Sequence, residues 1–226
     1  MTISMEDLQN SILESLDRIQ FVKLEDMPNI DLYMDQVTTF MDKQLQSTTR
    51  NPGDDKILTK TMINNYAKNN LLPPPVKKKY SKDHMMILTM IYYLKGVLSF
   101  NDIQQLLNPI TEKYFQAEDG YSLEDIYREL FSFQESQKEN IKKDITDKLE
   151  KAKASFQDAP KEDAEFFDLL SIITLLGFDV YVKRLLMEKI IDAYRDKQSG
   201  EAKEKAKEKT KEKVKEKEER RIEPED

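Results

Sequence analysis

The stretch Thr59-Lys60-Thr61-Met62-Ile63-Asn64-Asn65-Tyr66-Ala67-Lys68, followed by Leu71-Leu72, Pro73-Pro74-Pro75 and Lys77-Lys78-Lys79-Tyr80, decides how this chain is read. Thr59 can cap a helix by accepting from an orphan backbone N–H, and Ile63, Tyr66 and Leu71 keep an inward face at helical spacing. The outward face is polar and short-chained. Pro73 to Pro75 cannot continue a helix, so an extended segment is expected next, holding three adjacent cations at the end of a stiff arm. A polar helix followed by a basic arm suits a nucleic-acid groove.

The chain has 226 residues, enough for one or two domains with a core. The densest apolar run, Phe166 to Leu176, is interrupted by Asp168 and falls short of the roughly 18 apolar residues a spanning helix needs, so no membrane association is expected. The N-terminus lacks the layout of a signal peptide and there is no cysteine, which together predict a cytoplasmic protein without disulfides or thiolate sites. His84 is the single histidine, leaving little for zinc sites or a Ser-His-Asp triad. Paired carboxylates such as Glu124-Asp125 and Glu162-Asp163 are adjacent on helices and point in different directions, so they cannot flank one substrate. No glycine-rich phosphate loop or metal-ligand spacing is present. A non-enzyme is expected, with no catalytic residues, no cofactor and no metal.

The formal charge of −7 is unevenly spread. Residues 30–107 carry ten Lys and Arg against seven Asp and Glu, whereas residues 108–197 carry fourteen against twenty. The central segment alone is net positive, which is the electrostatic footprint a polyanion would need.

Helical periodicity runs through most of the chain. Ile3, Leu8, Ile12, Leu16 and Ile19 predict an amphipathic helix, and a second pattern starts at Asn29 with Asp31 in its first turn and runs through Ile30, Tyr33, Met34, Val37, Phe40, Met41 and Leu45. Ser47 to Asp55 reads as a turn-rich loop before the Thr59 helix. Ser81 can cap a helix with Met85, Ile87, Leu88, Ile91 and Leu94, and Ser99 with Asp102 one that holds Ile103, Leu106 and Leu107, closed by Pro109. Ser122 opens a long amphipathic helix reaching Phe156, and Pro160 breaks the pattern. Phe166 to Leu176 is apolar nearly all round, and Gly177 offers a left-handed cap before Val180 to Tyr194, which together predict a helical hairpin buried on more than one side. The tail repeats Lys-Glu-Lys every four residues and is expected to be disordered or a solvated helix. Four segments result: 1–28, 29–108, 109–197 and 198–226.

At these residues the central segment resembles the winged-helix DNA-binding domain of the MerR family: Thr59, Ile63 with Asn65-Tyr66, Leu71-Leu72-Pro73, Lys78 to Ser81, Ile91 and Leu94, then Ser99 with Asp102-Ile103. Asn29-Ile30-Asp31-Leu32-Tyr33-Met34-Asp35-Gln36-Val37 and Ile63-Asn64-Asn65-Tyr66 resemble more closely an uncharacterised bacterial family, the domain of unknown function numbered eighteen thirty-six. The MerR resemblance implies a winged helix-turn-helix over 29–108 with a short or rudimentary wing. Ile30 to Leu45 would be its first helix and Thr59 to Asn69 its recognition helix. It also implies a homodimer that regulates transcription, joined through a helix after the winged domain, here Ser122 to Phe156. The expected architecture is all-α, the winged unit being followed by a helical bundle or long dimerisation helix and the hairpin.

Asn64 and Asn65 can pair with adenine edges in the major groove, since an amide matches adenine's acceptor and donor together. Lys60, Thr61 and Lys68 would lie near phosphates and set position, and Lys77, Lys78 and Lys79 would bind further phosphates from the wing. Double-stranded DNA is therefore the expected partner. The alternative is a non-enzymatic protein-interaction or adaptor module that keeps the winged fold without binding DNA.

Overall fold

The computed structural model describes residues 5–18, 22–51, 53–117 and 119–222. In chain order it contains α1 (Met5–Arg18), β1 (Leu32–Tyr33), α2 (Met34–Leu45), α3 (Lys60–Lys68), β2 (Lys79–Tyr80), α4 (Lys82–Leu94), α5 (Phe100–Tyr114), α6 (Leu123–Lys153) and α7 (Ala164–Ile222). The architecture is all-α apart from one two-stranded antiparallel ribbon, in which Leu32 pairs with Tyr80 and Tyr33 with Lys79. The chain divides into two units, Met1–Val182 and Lys183–Asp226.

The first unit is organised around α4. Its residues from His84 to Ile91 are all buried, as expected of a helix that is apolar on every side. α2 brings Val37, Met41 and Leu45 to this core, α3 brings Ile63 and Tyr66, and α5 brings Ile103 and Leu107. Each such side chain contributes about 1.5–3 kcal/mol by leaving water. The connection between α2 and α3 is long but tethered. Thr48 Oγ1 and Tyr92 Oη share a 2.5 Å hydrogen bond, Lys95 Nζ donates to the Ile57 carbonyl at 2.7 Å, and Ile57 and Leu58 are buried. The buried Tyr127 hydroxyl on α6 donates to the Val22 carbonyl at 2.6 Å, fastening the segment before β1.

A smaller cluster joins the second half of α6 to the start of α7 and to α1. Ile145, Leu149, Ala152 and Ile172 form it, with Ile12, Leu16 and Leu176 at its edge. At its border the Lys148 ammonium is held between Asp144 and Asp179, the latter at 2.8 Å, and these two carboxylates push its pKa above the ordinary lysine value. The second unit is the remainder of α7, whose exposed surface carries pairs such as Arg184–Glu188 at 2.8 Å.

Five expectations change. The helix expected from Asn29 begins at Met34. Leu32–Tyr33 instead pairs with β2, and the Tyr33 N–H donates to Gln36 Oε1 at 2.9 Å, so Asp35 rather than Asp31 lies in the first turn. Pro109 does not end its helix: α5 runs through it to Tyr114, since proline removes one donor and the flanking turns keep theirs. No hairpin forms at Gly177, which has an ordinary helical φ inside α7. Nor is the apolar run from Phe166 buried on more than one side: Ile172 is buried, but Phe166 and Ile173 are 62% and 65% exposed. α6 ends at Lys153, so Phe156 falls in the connection to α7. Ile3 and Ile19 of the first expected helix, and Pro52 of the loop, lie outside the described residues.

Candidate nucleic-acid interface

Thr59 caps α3 as its position predicts, its Oγ1 accepting from the Met62 N–H at 3.1 Å. With Ile63 and Tyr66 turned into the core, the 100° step of the helix sends Thr61, Asn64, Asn65 and Lys68 to one opposite face, and all four are exposed. Lys60 is exposed beside them. The helix ends where Asn70 takes a left-handed φ of 56° and the Leu71 N–H turns back to the Tyr66 carbonyl at 2.9 Å. Gln104 of α5 donates to the Asn69 carbonyl at 2.6 Å, which steadies that end.

The three lysines are not carried on a straight arm. Val76 and Lys79 exchange backbone hydrogen bonds of 3.1 and 2.9 Å across Lys77 and Lys78, whose φ values of 50° and 66° make a two-residue turn with both central residues left-handed. Lys77 and Lys78 are exposed at its tip, while Lys79 is half-buried at its base, with Nζ 5.3 Å from the centre of the Tyr33 ring.

His84 holds this hairpin from beneath. Its Nδ1 accepts from the Ser81 N–H at 2.9 Å, which assigns the ring proton to Nε2, and Nε2–H donates to the Pro73 carbonyl at 3.2 Å. Tyr80 and Phe115 meet the ring edge-on at 5.2 and 4.8 Å. Burial keeps its pKa below the usual histidine value, so the imidazole is neutral at pH 7.

The two basic elements meet at the start of α2. Lys60, the first residue of α3, forms an ion pair with Asp35, while Tyr33, one residue before α2, lies under Lys79. The start of α2 thus lies against both the α3 face and the hairpin. Sequence reasoning identified the lysines and asparagines but passed over Tyr33 and Asp35, which read as ordinary positions of a longer helix. Their partners are tens of residues away, and no local pattern announces such pairs. Among the described residues no three His, Asp or Glu side chains converge as metal ligands, and no helix is long and apolar enough to cross a membrane.

No curated protein and no solved structure matches the chain. Residues 22–130 match the family model described as Domain of unknown function (DUF1836), in agreement with the resemblance expected from the residues around Asn29 and Ile63. That stretch runs from Val22 through α2 to α5 and into α6, and the part of the chain similar to this family model contains both the α3 face and the lysine hairpin.

Proposed function

We propose that residues 29–108 form a MerR-like winged helix-turn-helix that binds duplex DNA, and that the chain is a cytoplasmic, non-enzymatic regulator of transcription acting as a homodimer. In this reading α2 is the first helix, α3 lies in the major groove with Asn64 and Asn65 on adenine edges, and the lysine hairpin is the wing. The observation that supports it most is the common exposure of Thr61, Asn64, Asn65 and Lys68 on one face of α3, in a helix whose first residue pairs with Asp35, two residues from the Tyr33 ring beneath Lys79. Short amides read base edges, and lysines at the rim bind phosphate without reading sequence.

The test is fluorescence anisotropy of duplex DNA from the gene's own upstream region, with wild type and with Lys77, Lys78 and Lys79 all changed to alanine, at several salt concentrations. Wild-type affinity should fall with salt, and the slope of log K against log salt should shrink by up to about 2.7 in the variant, at about 0.9 for each phosphate no longer neutralised. Changing Asn64 and Asn65 to alanine should instead cost sequence preference and leave the salt slope in place.

A second reading has its own observation. A groove of about 400 Å³ beside α2, lined by Pro28, Leu32 and Phe40 with Asp35, Gln36, Thr39 and Lys43 around them, exposes mostly apolar surface and fits an adaptor that binds another protein. Absence of any affinity for duplex DNA at low salt would select it.

A further inference from the structure

One side chain closes the lysine hairpin at both ends. His84 meets the Pro73 carbonyl, where the chain enters the hairpin, through Nε2–H at 3.2 Å, and the Ser81 N–H, where the chain leaves it, through Nδ1 at 2.9 Å. The two contacts ask opposite things of one ring, a proton on Nε2 and a lone pair on Nδ1, and only the neutral imidazole offers both. The Ser81 hydroxyl, also 2.9 Å from Nδ1, can rotate to accept from a protonated ring. The Ser81 N–H is fixed by the backbone and would face a second donor. His84 thus fills the third position of a capping box, where glutamate or glutamine ordinarily supplies the acceptor, with a group whose acceptor a proton removes. The ring is 1% exposed, so water cannot make up a broken contact while the hairpin stays in place.

The surroundings give the cation little support. Tyr80 of β2 and Phe115 just past α5 present uncharged rings, and Asp31, before β1, is a carboxylate that acts on the imidazole from another element. Burial outweighs Asp31 and the carbonyls of Pro73 and Pro74, all of which favour the charged ring. On α4 itself Asp83 accepts from the Gln116 N–H at 2.6 Å and Lys82 pairs with Glu124 of α6 at 2.9 Å, while Lys79 of β2 lies over Tyr33.

We propose that His84 is a proton-operated latch: protonation of the imidazole breaks the Ser81 contact, frees the lysine hairpin from the start of α4 and thereby lowers affinity for duplex DNA. Release of the hairpin follows from the geometry alone; its effect on DNA rests on the reading above. The sign separates a latch from ordinary electrostatics. Acidification removes negative charge from a chain of −7 and adds a cation beneath the hairpin, and both strengthen binding to a polyanion. A latch acts the other way, because a held hairpin presents Lys77 and Lys78 in one place and a freed one must be ordered again on the duplex.

The experiment has one arm without DNA and one with it, each on wild type, His84→Gln and Asp83→Asn between pH 7.5 and pH 5.0. Glutamine keeps an acceptor for the Ser81 N–H at every pH, and Asp83→Asn keeps the imidazole while removing the carboxylate beside it. In the first arm, hydrogen exchange over Pro73–Tyr80 is read by mass spectrometry and corrected for the intrinsic effect of pH. Protection should fall about tenfold at pH 5.0 in wild type and in Asp83→Asn, with helical circular dichroism unchanged, and should hold in His84→Gln. In the second arm, anisotropy at constant salt should show wild-type affinity falling by about tenfold over the same range, as one pKa unit of difference between free and bound protein gives, while that of His84→Gln holds or rises. Wild-type protection that persists to pH 5.0 would overturn the latch whether or not the variant folds, and so would equal loss in wild type and His84→Gln. Wild-type affinity that rises on acidification would overturn its control of binding. Release in the first arm with no duplex bound at any pH would support the latch and overturn the DNA reading.

Discussion

Lys77 and Lys78 occupy a conformation their side chains disfavour. A non-glycine residue in the left-handed region costs about 1–2 kcal/mol, and turns of this form are ordinarily built from Asn-Gly. The turn could be more stable with other residues, so the lysines are held at a cost in folding free energy, a pattern met at functional sites. Replacing the pair by Lys77→Asn with Lys78→Gly should raise the unfolding free energy by about 1–3 kcal/mol and the melting temperature by several degrees, while reducing the salt slope of DNA binding by about 2. Thermal melts and anisotropy on the same preparation check both halves, and a lower melting temperature would mean that the turn is not of this type. His84 makes a different prediction. Its pKa is lower folded than unfolded, so the unfolded chain binds the proton more readily and stability increases with pH. The contribution is complete above about pH 6.5 and is lost as pH falls from there towards the depressed folded value. Urea unfolding at pH 7.5 and pH 5.5 should show a larger loss for wild type than for His84→Gln; equal losses would remove the imidazole from the account.

Among the elements, the starts of α3, α5 and α6 are legible in the sequence, whereas the start of α2 and some of the helix ends are not. Thr59, Ser99 and Ser122 each accept from a backbone N–H of the first turn, and Asp102 and Asp125 return the bond to Ser99 and Ser122, so a signal spanning four residues sufficed. The start of α2 is hidden in the sequence because a two-residue strand has no periodicity of its own; β1 exists through its partner in β2, far along the chain. Pro109 and Gly177 look like stops because each weakens a helix, but a single weak position costs less than the turns on both sides gain. Gly177 separates the two readings experimentally. In a continuous helix Gly177→Ala should stabilise by about 0.5–1 kcal/mol, since the added methyl meets nothing, whereas at a left-handed hairpin cap it would destabilise. Denaturant melts at submicromolar concentration, where mass action disfavours a dimer, read the helix alone.

For the molecule as a whole, helical periodicity reveals the all-α class but not the assembly of the site. A net charge of −7 speaks against a polyanion partner until the charge is resolved along the chain, where residues 30–107 stand out as positive. The α3 face was legible because a helix displays its own periodicity. The meeting of that face with the lysine hairpin was not, because it depends on Asp35 and Tyr33 reaching partners that only the folded core brings near. The central burial of α4 was half legible: its apolar pattern was evident, and the covering of all its faces was not. The same limit applies to Phe166 and Ile173 on α7, exposed although their run is apolar, since an apolar run says that a surface wants to be covered and not whether one chain can cover it.

The seat of His84 has a spectroscopic consequence. The chain holds one histidine, and it touches the carbonyl of Pro73 at the root of the hairpin, the N-terminus of α4 at Ser81, and the ring of Phe115 just past α5. With one imidazole in the chain, its ring resonances can be assigned in a nuclear magnetic resonance spectrum by residue type alone. Any ligand that moves the hairpin must pull on Pro73, and the shift of one imidazole proton would report it.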